Sequence, residues 1–404
     1  MTRKRILSLL LILFSLYITI SPFAGHCQAK EKKQDTPKSA VEISATSAVL
    51  IEGSTGKIIY EKDKDKELIP ASITKIMTLN LIFDALDSKK ITLEDSVTVS
   101  EYAASMGGSQ VFLEPNETQT VHDMIKCISI ASANDAAVAM AEKISGSEEA
   151  FVKKMNEKAK ALGMKHTQFK NCTGLDNDIN SGHYSSAYDV ALMSQELITK
   201  HPEISNYSTV WMDTITHKTK KGETEFGLTN TNKLVRFYEG ITGLKTGSTA
   251  KAKYCLSATA RRNDMDLIAV VMAAPDHKKR FSEAQALLDY GFATCTFYKD
   301  TGLSSALTDV PIAGGTEDTV TPIPQNTFSH IFTTETDSSL IQRKINYHQN
   351  QKAPIQKGAI IGNVEYYYNQ KLLGSIPLLA EKNIEEAGFT NYFLDALKKL
   401  FHKS

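Results

Sequence analysis

The alternation of hydrophobic and polar positions predicts a β-hairpin near the start of the folded chain. Two β-rich runs in TSAVLIEGSTGKIIYEKD flank residues 53–56, which include two glycines. Strand-like runs joined by a short glycine-containing connection are typical of hairpins. From residue 69 the pattern becomes helical, because apolar residues such as Ile73, Ile76 and Met77 recur at helical spacing. Further helices are predicted over residues 121–132, 136–144, 146–164 and 279–290.

The pattern turns to strands from residue 230 and changes again after residue 297. The runs EGITGLKTGSTAKAKYCLSATARR and MDLIAVVMAAP predict β-structure before the last of these helices. Beyond residue 297, short alternating runs recur between glycine, proline and asparagine, which indicates a small all-β module. Serine, lysine and histidine do not cluster there, so we assign this module no chemistry. The pattern separates a main domain over 44–296 from a β domain over 297–383.

The N-terminal end carries an export pattern. Three basic residues precede an apolar run over 6–20, and small or polar residues follow it. This order predicts a secretory signal peptide over 1–29 and a polar tether over 30–43. An uncleaved anchor is the alternative, although the apolar run is short for a membrane span. Lipidation at Cys27 is disfavoured by His26 directly before it.

The C-terminal residues 384–404 predict a basic amphipathic helix. In NYFLDALKKLFHKS, aromatic and aliphatic side chains fall on one stripe and lysines on the opposite face. Such a helix can lie in a lipid interface, so we expect a membrane surface as its partner. Packing on the protein's own surface is the alternative. Together the two ends predict an exported protein, peripheral to the outer face of the cytoplasmic membrane.

Composition limits the kinds of partner and the kinds of cysteine chemistry that we expect. The formal net charge is zero at pH 7, so no nucleic-acid partner is expected. The hydrophobic share of 42% suits a globular protein with a full core. Four of the five cysteines follow the expected cleavage site, and their scattered spacing fits neither a disulfide framework nor paired metal ligands. We therefore expect isolated structural thiols and no metal site.

The spacing Ser-x-x-Lys occurs three times, and the surrounding residues indicate which of the three pairs suits a nucleophile and its base. Ser54-Thr-Gly-Lys57 runs from the hairpin turn into a strand, so it has no helical register. Ser248-Thr-Ala-Lys251 overlaps a predicted strand. The third pair, Ser72 and Lys75 in PASITKIMT, lies on a predicted helix, where residues i and i+3 face the same side. A serine hydroxyl is a weak nucleophile that needs a neighbouring base, and lysine can supply it.

Two further motifs carry side chains that suit such a nucleophile. Ser132-Ala133-Asn134 falls at the junction of two predicted helices, and Lys245-Thr246-Gly247 begins a predicted strand. Ser132 can relay a proton, while Asn134 can hold a substrate amide. Lys245 and Thr246 can bind a carboxylate. Gly247 lets a substrate backbone lie against the strand.

The backbone offers the remaining group that acyl transfer needs. The N–H groups of Ser72 and Ser248 are candidate oxyanion donors, since such donors stabilise the charge that develops on the attacked carbonyl. Taken singly, the motif residues are equally well explained as a helix cap, helix ends and a turn. Three motifs in this order, in an exported chain, favour a catalytic site.

The chain resembles the low-molecular-mass penicillin-binding proteins that are D-alanyl-D-alanine carboxypeptidases. PASITKIMT, GSQVFLEPNET, HYSSAYDVALMS and GITGLKTGST all look like family segments in family order. S-x-x-K, S-D-N and K-T-G are the signature of penicillin-binding proteins and serine β-lactamases, and here the second motif has Ala133 in its middle. The resemblance implies an α/β (α+β) transpeptidase-like domain with an antiparallel sheet flanked by helices. A small β domain and an amphipathic membrane anchor follow it.

The resemblance also implies a role for each residue. Ser72 is the acyl nucleophile, Lys75 the general base, Ser132 the proton relay and Asn134 the amide anchor. Lys245 and Thr246 bind the terminal carboxylate with the help of Arg280, for which a solvated arginine at a helix start is the alternative. Asp189 is interpreted as structural. The chain departs from the family at Lys253, where glycine is usual, and at Cys172, where proline is usual.

The implied activity is that of a serine D-Ala-D-Ala carboxypeptidase that acts on peptidoglycan stem peptides. β-Lactams are then covalent inhibitors at Ser72, and no metal or organic cofactor is required. A serine β-lactamase is one alternative, but the loop glutamate of class A enzymes has no convincing counterpart here. A non-catalytic peptidoglycan-binding scaffold is another, and Lys253 is its only support.

Overall fold

The computed structural model describes residues 41–176, 182–220, 222–334 and 336–389. The predicted signal peptide, most of the tether and residues 390–404, which include the whole run NYFLDALKKLFHKS of the predicted terminal helix, lie outside these residues. No helix within the described ranges is long and apolar enough to cross a membrane. The α-helices are α1 (Lys75–Asp87), α2 (Glu101–Ala104), α3 (Val121–Ser129), α4 (Asn134–Ser145), α5 (Glu148–Ala161), α6 (Ala187–Lys200), α7 (Ser205–Ser208) and α8 (Lys279–Thr294).

The strands divide between the main domain and the β domain. Those of the main domain are β1 (Ser47–Glu52), β2 (Ile58–Lys62), β3 (Ser96–Thr98), β4 (Thr118–Thr120), β5 (Met212–Thr219), β6 (Gly222–Thr229), β7 (Ile241–Thr249), β8 (Lys253–Arg262) and β9 (Met265–Ala274). Those that follow are β10 (Thr296–Lys299), β11 (Val310–Pro311), β12 (Thr319–Val320), β13 (Pro322–Pro324), β14 (Ser329–Phe332), β15 (Gln342–Tyr347), β16 (Ile360–Tyr368) and β17 (Lys371–Ala380).

A five-stranded antiparallel sheet, in the order β2-β1-β9-β8-β7, forms the centre of the main domain. Successive side chains of a strand point to opposite faces, and β1 is buried on both. Val49 and Ile51 join the larger core, which includes α1, α3, α4 and α6, whereas Ala48 and Leu50 join the core beneath α8. Helices therefore cover both faces of the sheet, which confirms the predicted fold class. The antiparallel pairing of β1 with β2 confirms the predicted hairpin.

The helix that follows residue 69 begins later than its pattern predicts. Residues Ala71–Thr74 form a 3₁₀ turn, and the α-helix starts at Lys75. Helix α1 is buried on nearly every side, so its apolar pattern marks no sharp boundary. The helix predicted over 121–132 ends at Ser129, and α4 begins two residues before its predicted start.

The β5–β6 hairpin was not predicted from the sequence. Most of its residues are exposed or half-buried, and it forms a separate two-stranded sheet. Only Ile215 and Leu228 of the pair are buried in the core, so the apolar alternation by which strands are recognised is too short to stand out.

The β domain contains a four-stranded antiparallel sheet in the order β13-β17-β16-β15, as the alternating runs predicted. Two predicted boundaries are wrong by a few residues. Ile43 is already buried in the core, so the folded chain begins before Ser44. Ile384 and Glu386 still form β-bridges with the β domain, so that domain continues past residue 383. The four cysteines of the described chain are free thiols, three of them buried.

The backbone at Lys253 has a conformation that glycine adopts more readily than lysine. Lys253 opens β8 directly after the turn from β7, with φ +57° and an exposed side chain. A left-handed conformation costs a residue with a Cβ atom about 1–2 kcal/mol, whereas glycine adopts it without this strain. The departure at Lys253 is therefore a matter of turn conformation.

We expect Lys253→Gly to raise the free energy of unfolding by about 0.5–1 kcal/mol. The strain relieved, about 1–2 kcal/mol, exceeds the roughly 0.5–1 kcal/mol that glycine costs through its freer unfolded chain. Urea denaturation measures the change. Lys251→Gly is the matched control, because Lys251 is also exposed in this turn but has no positive φ, so it should lose stability. Equal losses in the free energy of unfolding of the two variants would contradict backbone strain at Lys253.

Candidate active site

Ser72 lies in a strained turn at the start of α1. The residue before it, Ala71, is buried with φ +48°, a conformation that residues with a side chain adopt only at a cost of about 1–3 kcal/mol. Ser72 belongs to the 3₁₀ turn, in which residues i and i+3 are eclipsed. The Lys75 Nζ atom accordingly lies 3.2 Å from Ser72 Oγ. The structure thus joins the predicted nucleophile and base.

Lys75 is fully buried, and two oxygen atoms hold its amine. Nζ donates to Asn134 Oδ1 at 2.5 Å and to the carbonyl oxygen of Thr173 at 2.8 Å. Burial lowers the pKa of Lys75 to about 7, because desolvation penalises the charged form. Asn134 Nδ2 in turn donates to the carbonyl oxygen of Gly107 at 2.6 Å. Asn134 therefore orients Lys75 in this structure.

Two glycines let the chain pack closely around the Ser72 turn. A Cβ atom on Gly174, which has φ +80°, would lie 1.8 Å from the Ala71 carbonyl oxygen. A Cβ on Gly247 would lie 2.7 Å from the Pro70 carbonyl oxygen and 3.1 Å from the Ser72 nitrogen. Glycine is needed at residue 247 because strand β7 packs against the nucleophile turn, a reason that the sequence did not reveal.

Ser132 lies in the short connection between α3 and α4. It is buried and has φ +64°, so its backbone is strained like that of Ala71. Of the described residues, neither Ser72 nor Lys75 is hydrogen-bonded to its hydroxyl. The connection is anchored through the Thr231 N–H group, which donates to the Ile130 carbonyl at 3.2 Å.

Lys245-Thr246-Gly247 lies in the second half of β7, which corrects its predicted position at the start of a strand. Lys245 is buried, and Nζ donates to the Thr246 carbonyl at 3.1 Å. Desolvation, followed by the charges of Lys75 and Arg280, lowers the pKa of Lys245 well below its ordinary value. The Thr246 hydroxyl donates to Thr231 Oγ1 at 2.7 Å.

Arg280 lies against this strand at the beginning of α8. Its Nη1 donates to the Gly247 carbonyl at 3.2 Å, and its guanidinium packs over the rings of Phe281 and Tyr254. Among the described residues, its buried Nε has no hydrogen-bond partner. These contacts contradict the alternative of a solvated arginine. Ser248, in contrast, is exposed near the end of β7.

The other two Ser-x-x-Lys pairs have structural contacts of their own. Ser54 donates to Glu52 in the hairpin turn, and Lys57, just before β2, donates to the Ile331 carbonyl. Lys251 is exposed in the turn after β7. Asp189 is buried and accepts hydrogen bonds from the His166 backbone and the Thr167 hydroxyl, so its structural interpretation is confirmed.

Sequence reasoning missed residues that hold the site together from distant parts of the chain. Asp135 is buried, and its carboxylate accepts from the Val111 and Leu113 N–H groups, which fixes the loop beside Asn134. An acidic residue in the first turn of a helix is ordinarily explained by its favourable interaction with the helix dipole. The sequence therefore gave no sign that Asp135 holds a loop. Thr173 acts through its carbonyl, which gives no signal in the sequence.

His183 fixes a second loop against the nucleophile turn. Its Nδ1 accepts from the Lys170 N–H group at 3.1 Å, so the proton lies on Nε2, which donates to Thr74 Oγ1 at 2.9 Å. Burial lowers the pKa of His183 to about 4, so this neutral form persists at neutral pH. The segment HYSSAYD thus contributes to the site through its first residue.

Two family models match the chain in consecutive segments. The model for D-alanyl-D-alanine carboxypeptidase matches residues 31–276, and the model for the C-terminal domain of penicillin-binding protein 5 matches residues 295–386. Residues 277–294 lie between the two matched segments.

Known proteins are similar over most of the chain. D-alanyl-D-alanine carboxypeptidase DacF of Bacillus subtilis is 43% identical over 389 residues, 96% of this chain and 97% of its own length. Penicillin-binding protein 5 from Haemophilus influenzae has a TM-score of 0.71 at 30% identity, over 85% of this chain and 98% of that one.

A structure with a bound antibiotic is also similar. Penicillin-binding protein D2 from Listeria monocytogenes in its ampicillin-bound form has a TM-score of 0.52 at 33% identity, over 62% of this chain and 98% of that one. The first family model spans more than half of the chain, and a relative of 43% identity spans nearly all of it. The chain therefore belongs to the D-alanyl-D-alanine carboxypeptidase family of low-molecular-mass penicillin-binding proteins.

Proposed function

We propose that this chain is a serine-type D-Ala-D-Ala carboxypeptidase that removes the terminal D-alanine from peptidoglycan stem pentapeptides. One observation carries the proposal: a buried lysine amine lies 3.2 Å from the hydroxyl of Ser72. Acyl transfer by serine needs this pairing, because the hydroxyl must lose its proton as it attacks. Neither the β-lactamase nor the scaffold alternative is favoured by the family and relatives that the chain matches.

The contacts of Lys75 suit a general base. A neutral amine has two N–H groups and one lone pair. Asn134 Oδ1 and the Thr173 carbonyl oxygen are acceptors only, so they take the two N–H groups. The lone pair is then left for the Ser72 hydroxyl. A pKa of about 7 means that a large fraction of Lys75 is neutral at neutral pH.

The reaction follows from these assignments. Ser72 Oγ attacks the carbonyl carbon of the penultimate D-alanine, and Lys75 takes the hydroxyl proton. The Ser72 and Ser248 N–H groups stabilise the oxyanion that forms. The C–N bond then breaks, D-alanine leaves with a proton passed through Ser132, and water hydrolyses the ester on Ser72. No step needs a metal or an organic cofactor.

The terminal carboxylate of the peptide binds on the β7 side of the site. The buried amine of Lys245 lacks an anionic partner among the described residues, and its pKa is lowered by burial and by neighbouring cations. A substrate carboxylate supplies the missing charge, with the Thr246 hydroxyl as a hydrogen-bond donor. Arg280 supports this position through its contact with the Gly247 carbonyl.

β-Lactams acylate the same serine, as the ampicillin-bound form of the Listeria relative supports. We further propose that the chain is exported and acts at the outer face of the cytoplasmic membrane. The export pattern over 1–29 and the basic amphipathic pattern over 384–404 support this location.

We expect the full chain to release D-alanine from diacetyl-Lys-D-Ala-D-Ala, and Ser72→Ala to reduce this release by at least about 10³-fold. A coupled D-alanine assay measures it. Ser54→Ala is the matched control, because Ser54 belongs to another Ser-x-x-Lys pair and lies in the hairpin turn, so it should retain full activity. A folded protein that neither releases D-alanine nor is labelled by penicillin would contradict the proposed carboxypeptidase activity.

We expect the rate of acylation by labelled penicillin to rise about tenfold per pH unit up to about pH 7 and then to level off. Protonated Lys75 has no lone pair, and its pKa is about 7 because burial disfavours the charged form. Rapid-mixing labelling between pH 5 and 9 measures the profile. Lys57→Gln, in the hairpin, should leave the midpoint unchanged. A flat profile would exclude Lys75 as the base.

A further inference from the structure

The far end of α1 carries a second polar cluster. Asp87 is the last residue of α1, His201 directly follows α6, and Glu203 lies in the 3₁₀ turn Pro202–Ile204. Helix α1 has 13 residues, so Asp87 is about 18 Å from Lys75 along the helix axis. The cluster is therefore separate from the active site.

His201 is fully buried, and one side of its ring is fixed. Nε2 lies 3.2 Å from Asp84 Oδ1. Lys200 and Lys158 also donate to the Asp84 carboxylate, so this carboxylate is an acceptor and it places the ring proton on Nε2. The ring also stacks on Phe83 at 5.6 Å, which holds its orientation.

The other ring nitrogen, Nδ1, is buried and has no hydrogen-bond partner in the described chain. Asp87 Oδ2 lies only 3.1 Å away, yet off the direction in which a hydrogen bond could form. Ligand atoms of Asp87, His201 and Glu203 all lie within 4.8 Å of one another. An unpartnered buried nitrogen therefore faces two exposed carboxylates.

The spacing of the His201–Asp87 pair is what a shared cation requires. Zinc binds imidazole nitrogen at about 2.0–2.1 Å and carboxylate oxygen at about 2.0–2.2 Å, so ligand atoms at ordinary bond angles lie about 3.0–3.4 Å apart. The cation occupies the nitrogen lone-pair direction, so the oxygen must lie to one side of it. The 3.1 Å separation and the missing hydrogen bond between His201 and Asp87 both fit a cation that the two side chains share.

We propose that Asp87, His201 and Glu203 bind a divalent transition-metal cation, with Zn²⁺ as the best match, and that Asp84 orients the imidazole. Histidine ligands commonly donate their second N–H to a carboxylate, as His201 does to Asp84. An imidazole with two carboxylates suits zinc, and the exposed carboxylates leave room for water as a further ligand. The cation joins the ends of α1 and α6 and stabilises the domain.

Equilibrium dialysis of the full chain against Zn²⁺, with metal quantified per protein, tests the site. We expect one tightly held equivalent, and Asp87→Asn and Glu203→Gln should each weaken binding by about tenfold or more. Both substitutions are conservative and lie on exposed side chains, so folding should be preserved. His122→Gln is the matched control, because His122 also lies beside a carboxylate, 3.6 Å from Asp123, and should not change binding.

Thermal unfolding gives a second readout. Zn²⁺ should raise the Tm of the wild type and of His122→Gln, and it should not raise that of Asp87→Asn or Glu203→Gln. Equal Zn²⁺ binding by all four proteins, or no saturable equivalent, would overturn the site. Penicillin labelling of Ser72 should not depend on Zn²⁺, so a failure of labelling would concern only the proposed activity.

Discussion

The burial of one lysine amine is the constraint on which the rest of this structure depends. Lys75 has no contact with water, so its polar atoms must be satisfied from within the protein. Three separate segments meet for this purpose: the Ser72 turn, the start of α4 at Asn134 and the loop at Thr173. The burial that makes Lys75 a useful base is therefore also what fixes the positions of its neighbours.

Close backbone packing follows from the same requirement. Gly174 and Gly247 touch the turn from two sides at distances that leave no room for a side chain. The strained conformation of Ala71, at about 1–3 kcal/mol, persists because the surrounding contacts over-determine it. A rigid turn keeps Ser72 at a fixed distance from Lys75 before any substrate binds.

The sequence revealed the residues whose chemistry is local and concealed those that act across the fold. Ser72 and Lys75 were found because a helical turn brings positions three apart together. The central hairpin was found because β1 is buried and β2 is mostly half-buried. Asp135 and Thr231 were missed, because their partners are distant in the chain and their residue types are common. The contact of Gly247 with the turn that precedes Ser72 was also missed, because the two segments are distant in the chain.

The two buried lysines of the site influence each other, and this coupling has a direction. The charge of Lys75 lowers the pKa of Lys245, so the free site disfavours two positive charges at once. A bound carboxylate stabilises the charged form of Lys245. The paired charges of the carboxylate and Lys245 largely cancel at Lys75, so burial still sets the pKa of Lys75 at about 7. In the proposed function, binding of the C-terminal residue therefore leaves the proposed base able to accept the Ser72 proton.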